Sequence, residues 1–299
     1  MMTEDFPSQP LRLIQWQWRS VLFYVAAGTA AWLLIEPLGM SFLKLPVIPL
    51  TIVGSAIGIF ASFRSNQAYD RWWEGRKLWG RMINSSRHWS SQVVNYIGPT
   101  DPKLAEELVL RHCGYVHVLR CLLRKQDPFT DPDVSRLITA DDQLKNSTNL
   151  THALLDRQMK ALVGLANDGK LDERRLESFD DTLIDLLNIQ GGCERIKGTP
   201  LPRGYGFIVE LMIQIFAVML PFALVHEMGV FAIPMNALVC LAFALISEAG
   251  RVLEDPFSLF YNGLPLHNLS TKIERNTRQR IGHTDLPASI KASAKGVLM

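Results

Sequence analysis

Ser55, Ile59 and Phe63 recur every four residues inside an apolar stretch. On a helix that spacing keeps them near one face. Several copies of such a helix around one axis would stack the side chains as rings about 6 Å apart. Apolar rings narrow enough to exclude water form a gate by dewetting. The same spacing also suits an ordinary lipid-facing or core helix. Gly54, Gly58, Ala61 and Ser62 lie on neighbouring faces, where small residues let other helices approach closely.

Other residues have weaker claims to chemistry. Glu210 and Gln214 sit one turn apart in an apolar run, where an ionisable side chain is costly and takes a partner or a role in a pathway. Glu210 is also near enough to the run's end to reach water. His112, Cys113 and His117 share one expected helix, but two histidines five apart fit the i, i+4 geometry of a helical zinc pair poorly. Structural roles are expected for them. Glu254 and Asp255 precede Pro256 and are weak candidates for a calcium site, with a helix-end turn as the plain alternative. No GxSxG, Walker loop, HExxH or GxGxxG context occurs, so no nucleophile–base constellation supports an enzyme.

The elements that position these residues follow from the distribution of charge. The chain has 299 residues, 48% of them hydrophobic and 20% charged, but apolar and charged residues are segregated. Four apolar stretches stand out: Val21 to Ile35, about Leu45 to Phe63, about Tyr205 to Val225 broken by Pro221, and about Val230 to Ser247. Each approaches the roughly 20 residues that span a bilayer. Between the second and third lies a charged region that reads as helical. Residues 65–96 are expected to continue the second stretch, with Ala68, Trp72, Trp79, Ile83 and Trp89 on one face. The pairs Asp101-Pro102, Asp127-Pro128 and Asp131-Pro132 mark helix starts or turns. Residues 137–150 read as a loop. Further helices run from about Leu150 to Asn167-Asp168-Gly169 and from about Asp172 to Ile189. The tail is basic (Lys272, Arg275, Arg278, Arg280) and expected to be weakly ordered at its end.

Basic residues flank the stretches on one side: Arg12, Arg19, Arg64, Arg71, Arg76, Lys77, Arg195, Lys197, Arg203 and Arg251, against Lys44 and His226 in the short connections. That bias places both termini and the middle region in the cytoplasm. Trp72, Trp73 and Trp79 suit a membrane interface or the packing of the cytoplasmic part. No cleavable signal is expected, because Pro7, Pro10, Arg12 and Arg19 interrupt the first 20 residues. A net charge of +2 implies no pull toward nucleic acid. Cys113, Cys121, Cys193 and Cys240 form no CxxC pair and read as free buried thiols.

Three blocks resemble the bestrophin family: FRSNQAYDRWWEGRKLWG at 63–80, GGCERIKGTPLP at 191–202 and LEDPFSLFYNGLPLH at 253–267. The likeness covers roughly residues 10–270 and is closest to the prokaryotic branch. Arg71, Trp72, Trp73 and Glu74 carry its most specific motif, at the membrane exit of the second span. The resemblance implies an ion channel of five identical subunits, with the second membrane helix lining a narrow neck. Placed by their distance before Arg71-Trp72-Trp73, the neck residues are again Ser55, Ile59 and Phe63. Two departures matter. Ser55 stands where relatives often carry a large apolar side chain, so that ring would be wider and wetter. Pro256-Phe257 is followed by Ser258-Leu259-Phe260-Tyr261 rather than an acidic run, so calcium activation is not expected.

The expectation is therefore an all-α membrane protein with four transmembrane helices per subunit and a helical cytoplasmic domain. Residues 1–64 hold the first two spans, 65–204 the cytoplasmic region, 205–250 the last two spans, and 251–299 a cytoplasmic C-terminal segment. The homopentamer would sit in the plasma membrane (the inner membrane in a bacterium), contact lipid, and pass small monovalent ions without a cofactor. Chloride-like anions are favoured. A monovalent-cation channel of the same type and a secondary transporter are the alternatives.

Overall fold

Long apolar runs and aspartate–proline pairs dictate where helices run and where they begin. The computed structural model of the chain describes residues 17–139, 141–260 and 262–292, and among these the regular structure is helical. Ten α-helices are described: α1 (Trp18–Ile35), α2 (Val47–Gln92), α3 (Pro102–Leu123), α4 (Pro132–Leu137), α5 (Asp142–Lys145), α6 (Leu150–Asn167), α7 (Glu173–Gly198), α8 (Arg203–Met228), α9 (Ala232–Leu253) and α10 (Leu266–Arg280). Arg12, Pro7 and Pro10 and the end of the tail lie outside the described residues.

Aspartate starts several helices, as their chemistry requires. The Asp101 side chain accepts from Leu104 N at 3.1 Å, with Pro102 at the first helical position, where no N–H is needed. Asp131 does the same for α4, and Asp172 for α7. Helix α6 ends where Gly169 takes φ +71, a left-handed conformation that glycine adopts without strain. The expected loop at 137–150 contains the short helix α5, which Asp141 caps through Leu144 N. Helix α7 runs well past Ile189. Gly191 and Gly192 weaken it locally, but Gly192 lies where a Cβ would approach Leu78 within 2.9 Å, so packing overrides propensity.

Three stretches are long and apolar enough to cross a membrane: Trp18–Ile35, Val47–Ile97 and Gly206–Leu253. The last contains α8 and α9, separated by a turn at Gly229–Phe231 in which Gly229 has φ +55.

The chain divides into two compact units. One, the apolar unit, comprises the described residues up to 72 together with 200–254. Its core joins Tyr24 of α1, Ile57 and Ala61 of α2, Val209, Ile213 and Phe216 of α8, and Cys240 and Ala244 of α9. Pro221 does not break α8. A proline removes the N–H that would bond the carbonyl four residues back. Here that carbonyl, Ala217 O, accepts instead from Nδ2 of the buried Asn236 at 3.1 Å. The same Nδ2 also donates to Tyr24 O at 2.9 Å, so one amide ties α1, α8 and α9.

The other, polar unit comprises residues 73–199 and the described residues from 255 on. Helix α3 is its most buried element and packs against α4, α6, α7 and α10. Trp79 and Trp89 of α2 are buried, and Trp89 meets Phe179 edge-on at 5.3 Å and lies over His112 at 6.0 Å. Gln92 bridges to α7, donating to Ser178 O at 2.8 Å and accepting from Thr182 Oγ1 at 2.9 Å.

Candidate functional site

Between Leu50 and Ala68, α2 carries two opposed faces. Leu50, Gly54, Ile57, Ala61, Arg64 and Ala68 are buried at spacings of three and four. At 100° per residue they form one stripe. Ile52, Ser55, Ile59 and Phe63 lie on the opposite stripe, and all four are exposed in the single chain, Ile59 by 57% and Phe63 by 62%. The neck candidates therefore point away from the fold of their own subunit. Ser55 Oγ donates to Thr51 O at 2.9 Å, which occupies its proton and leaves a small, partly masked polar surface.

The residues just after Phe63 are tied tightly. Arg64 is 7% exposed, and its guanidinium reaches Glu254 Oε1 at 2.7 and 3.1 Å and Ser247 Oγ at 3.1 Å. Arg71 Nε donates to the Glu254 carbonyl at 2.7 Å. Tyr69 stacks on Trp72 at 6.3 Å. Trp72 is half-buried and Trp73 exposed. In the polar unit Glu74 pairs with Arg195, and Lys197 Nζ meets Asp255 Oδ2 at 2.6 Å. Gly75 lies where a Cβ would come within 3.1–3.3 Å of Pro256 and Phe257. The three blocks of the sequence resemblance, far apart along the chain, thus meet one another in the polar unit, and the first and third also meet in the apolar unit.

Glu254 and Asp255, the weak calcium candidates, are engaged by different bases, Arg64 and Lys197. Among the described residues no group of three or more His, Cys, Asp or Glu is placed to hold a metal ion. Glu210 and Gln214 are both exposed on α8. Lys44 Nζ, in the connection between α1 and α2, lies 3.3 Å from His226 Nδ1 in the last turn of α8.

His112, Cys113 and His117 are buried and do not converge on one point. His112 stacks on Trp89, and burial pushes its imidazole down to about 3. Cys113 Sγ lies 3.0 Å from Thr277 Oγ1. His117 Nε2 meets Glu274 Oε2 at 3.1 Å. Glu274 is fully buried and also takes Arg136 at 2.6 Å and Arg278 at 3.0 Å. Burial alone would raise its carboxyl, but the hydrogen bonds from His117, Arg136 and Arg278 outweigh burial and hold it at about 2. Asp133 accepts from His267 at 3.1 Å, which holds it below the usual carboxylate range. Sequence reasoning missed this network: Glu274 lies 157 residues from His117. All four cysteines are free and buried, and burial pushes the Cys113, Cys121 and Cys193 thiols up to about 12.

A family model for bacterial/fungal bestrophin protein matches residues 11–279. A voltage-dependent anion channel-forming protein of Ralstonia nicotianae is 32% identical over 254 residues, which is 84% of this chain and 82% of that protein. The Escherichia coli K12 protein YneE, of the same description, is 32% identical over 83% of this chain and 81% of its own length. The crystal structure of a bacterial bestrophin homolog from Klebsiella pneumoniae superposes with a TM-score of 0.81 at 29% identity, covering 88% of this chain and 97% of that one.

Proposed function

The chain belongs to the bacterial/fungal bestrophin family, and from that premise we propose that five copies form a membrane channel passing small monovalent ions, anions favoured, through a neck lined by Ser55, Ile59 and Phe63. The observation that carries this reading is the opposition of faces on α2. A helix that buries Leu50, Ile57, Ala61 and Arg64 leaves Ile59 and Phe63 uncovered, at the spacing that stacks rings around an axis. Two apolar rings set a dewetting barrier, and Ser55 adds a wetter ring above them. Aromatic edges carry partial positive charge, which suits an anion beside Phe63. Relatives described as anion channel-forming support that choice of sign. The basic flanks of the apolar helices favour cytoplasmic termini.

Reconstituted protein under a salt gradient tests the reading. A reversal potential tracking chloride is expected, and one tracking the cation selects the opposite sign. Ile59→Ala with Phe63→Ala is expected to raise conductance or open probability in planar bilayers. Unchanged currents from a well-folded double variant would remove the neck assignment.

A further inference from the structure

Arg64 follows Phe63 directly, at the end of the second apolar stretch, and its charge is buried in the apolar unit. A charge there needs a partner or a pathway. Its three donating nitrogens are all occupied: Nε and Nη2 by Glu254 Oε1, and Nη1 by Ser247 Oγ. Helix α8 closes the remaining side, because a Cβ on Gly206 would come within 2.7 Å of Nη2. The backbones are close as well. Ser65 Oγ donates to Ile246 O at 3.0 Å, and a Cβ on Gly250 would meet the Ser65 backbone at 3.2 Å. Arg71, two turns later, grips the carbonyl of Glu254. Helix α2 is therefore pinned to the last turn of α9 in both height and rotation, at the residue next to the neck. A cavity of about 20 Å³ beside the clamp, lined by Phe63, Arg64, Gln67, Leu201, Pro202 and Glu254, is the size of a single water.

We propose that Arg64, Glu254 and Ser247 form a positioning clamp that holds the Phe63 ring at its constricting radius and takes no part in contacting the permeant ion. The proposal rests on the neck reading and deepens it. Each guanidinium nitrogen is already bonded inside the subunit and the side chain is 7% exposed, so the group faces its own subunit rather than a permeant ion. Loss of the clamp lets α2 turn and shift, which averages the Phe63 ring outward and wets the neck.

Four variants of the full-length protein, purified as intact oligomers and studied in planar bilayers, test this. Arg64→Gln and Glu254→Gln are each expected to raise current about tenfold, the change that about 1.4 kcal/mol makes in an equilibrium. Arg64→Glu combined with Glu254→Arg is expected to return current toward the parent value. The milder Ser247→Ala, which keeps the ion pair, is expected to raise current about threefold and decides the matter if the charge variants do not assemble. Reversal potentials stay at the parent value in all four. A shifted reversal potential in Arg64→Gln would place the guanidinium in the ion path and overturn the clamp. Unchanged currents in the clamp variants, beside a raised current in Ile59→Ala with Phe63→Ala, would overturn the clamp and leave the neck standing. Unchanged currents in every variant would remove both.

Discussion

Glu274→Gln tests the buried ionic network of the polar unit. The carboxylate is fully buried and answers Arg136, Arg278 and His117 together. Its carboxyl is held at about 2 against an ordinary value of 4.5. A carboxyl with a depressed folded-state pKa contributes stability above its unfolded value and loses it as pH falls through the folded value. At about 1.4 kcal/mol per pH unit, the contribution at neutral pH is about 3 kcal/mol. Removing one partner of a buried charge group costs about 3–5 kcal/mol, which agrees. At about 2.1 cal/mol/K of unfolding entropy per residue, 3 kcal/mol corresponds to a melting shift of about 5 °C for this chain. The assay is thermal unfolding of detergent-solubilised protein, followed by loss of the oligomer peak, from pH 8 to pH 3. The gap between parent and variant should be constant above pH 5 and shrink between 4.5 and about 2. A gap under about 1 °C at pH 7, or one that stays constant to pH 3, would refute the reasoning.

Three further expectations follow from single contacts. His112 takes up no proton in the folded state until about pH 3, so the parent loses about 1.4 kcal/mol per pH unit between 6.5 and 3. His112→Phe should melt near the parent at pH 7.5 and lose less on acidification to pH 5; equal acid sensitivity would argue against it. Asn236→Leu should cost about 1–2 kcal/mol by leaving Ala217 O unbonded, and the cost should fall in a Pro221→Ala background, where the helix regains its own donor. Additive effects on melting temperature would show that the amide does not replace the missing N–H. Ser55→Ile should reduce unitary current by adding a dry ring, and a larger current would contradict the dewetting argument.

Local chemistry was legible in the sequence; distant pairing was not. Asp101, Asp131 and Asp172 announce their helices because a cap needs only the next three residues. The stripe of Ser55, Ile59 and Phe63 is visible because helical period is local. Pro221 misled because the donor that rescues its helix, Asn236, comes from the next helix. Helix α7 outran its expected end at Ile189 because the support for Gly192 comes from Leu78 on α2. The Arg64–Glu254 pair lies 190 residues apart, and nothing in single-sequence spacing joins the two.

Adjacent residues on a helix point about 100° apart. Phe63 lies on the side of the exposed face from which the next 100° step reaches the buried stripe, so Arg64 joins Ala61 and Ala68 there. A buried guanidinium is tolerable only if the same fold delivers acceptors, and Glu254 and Ser247 at the end of α9 are those acceptors. The outward ring and the inward charge are thus two consequences of one helical phase. A one-residue insertion between Ile59 and Phe63 should disturb both together, opening the neck and unpairing Arg64. An insertion that altered current while leaving the oligomer as heat-stable as the parent would separate the two and break this link.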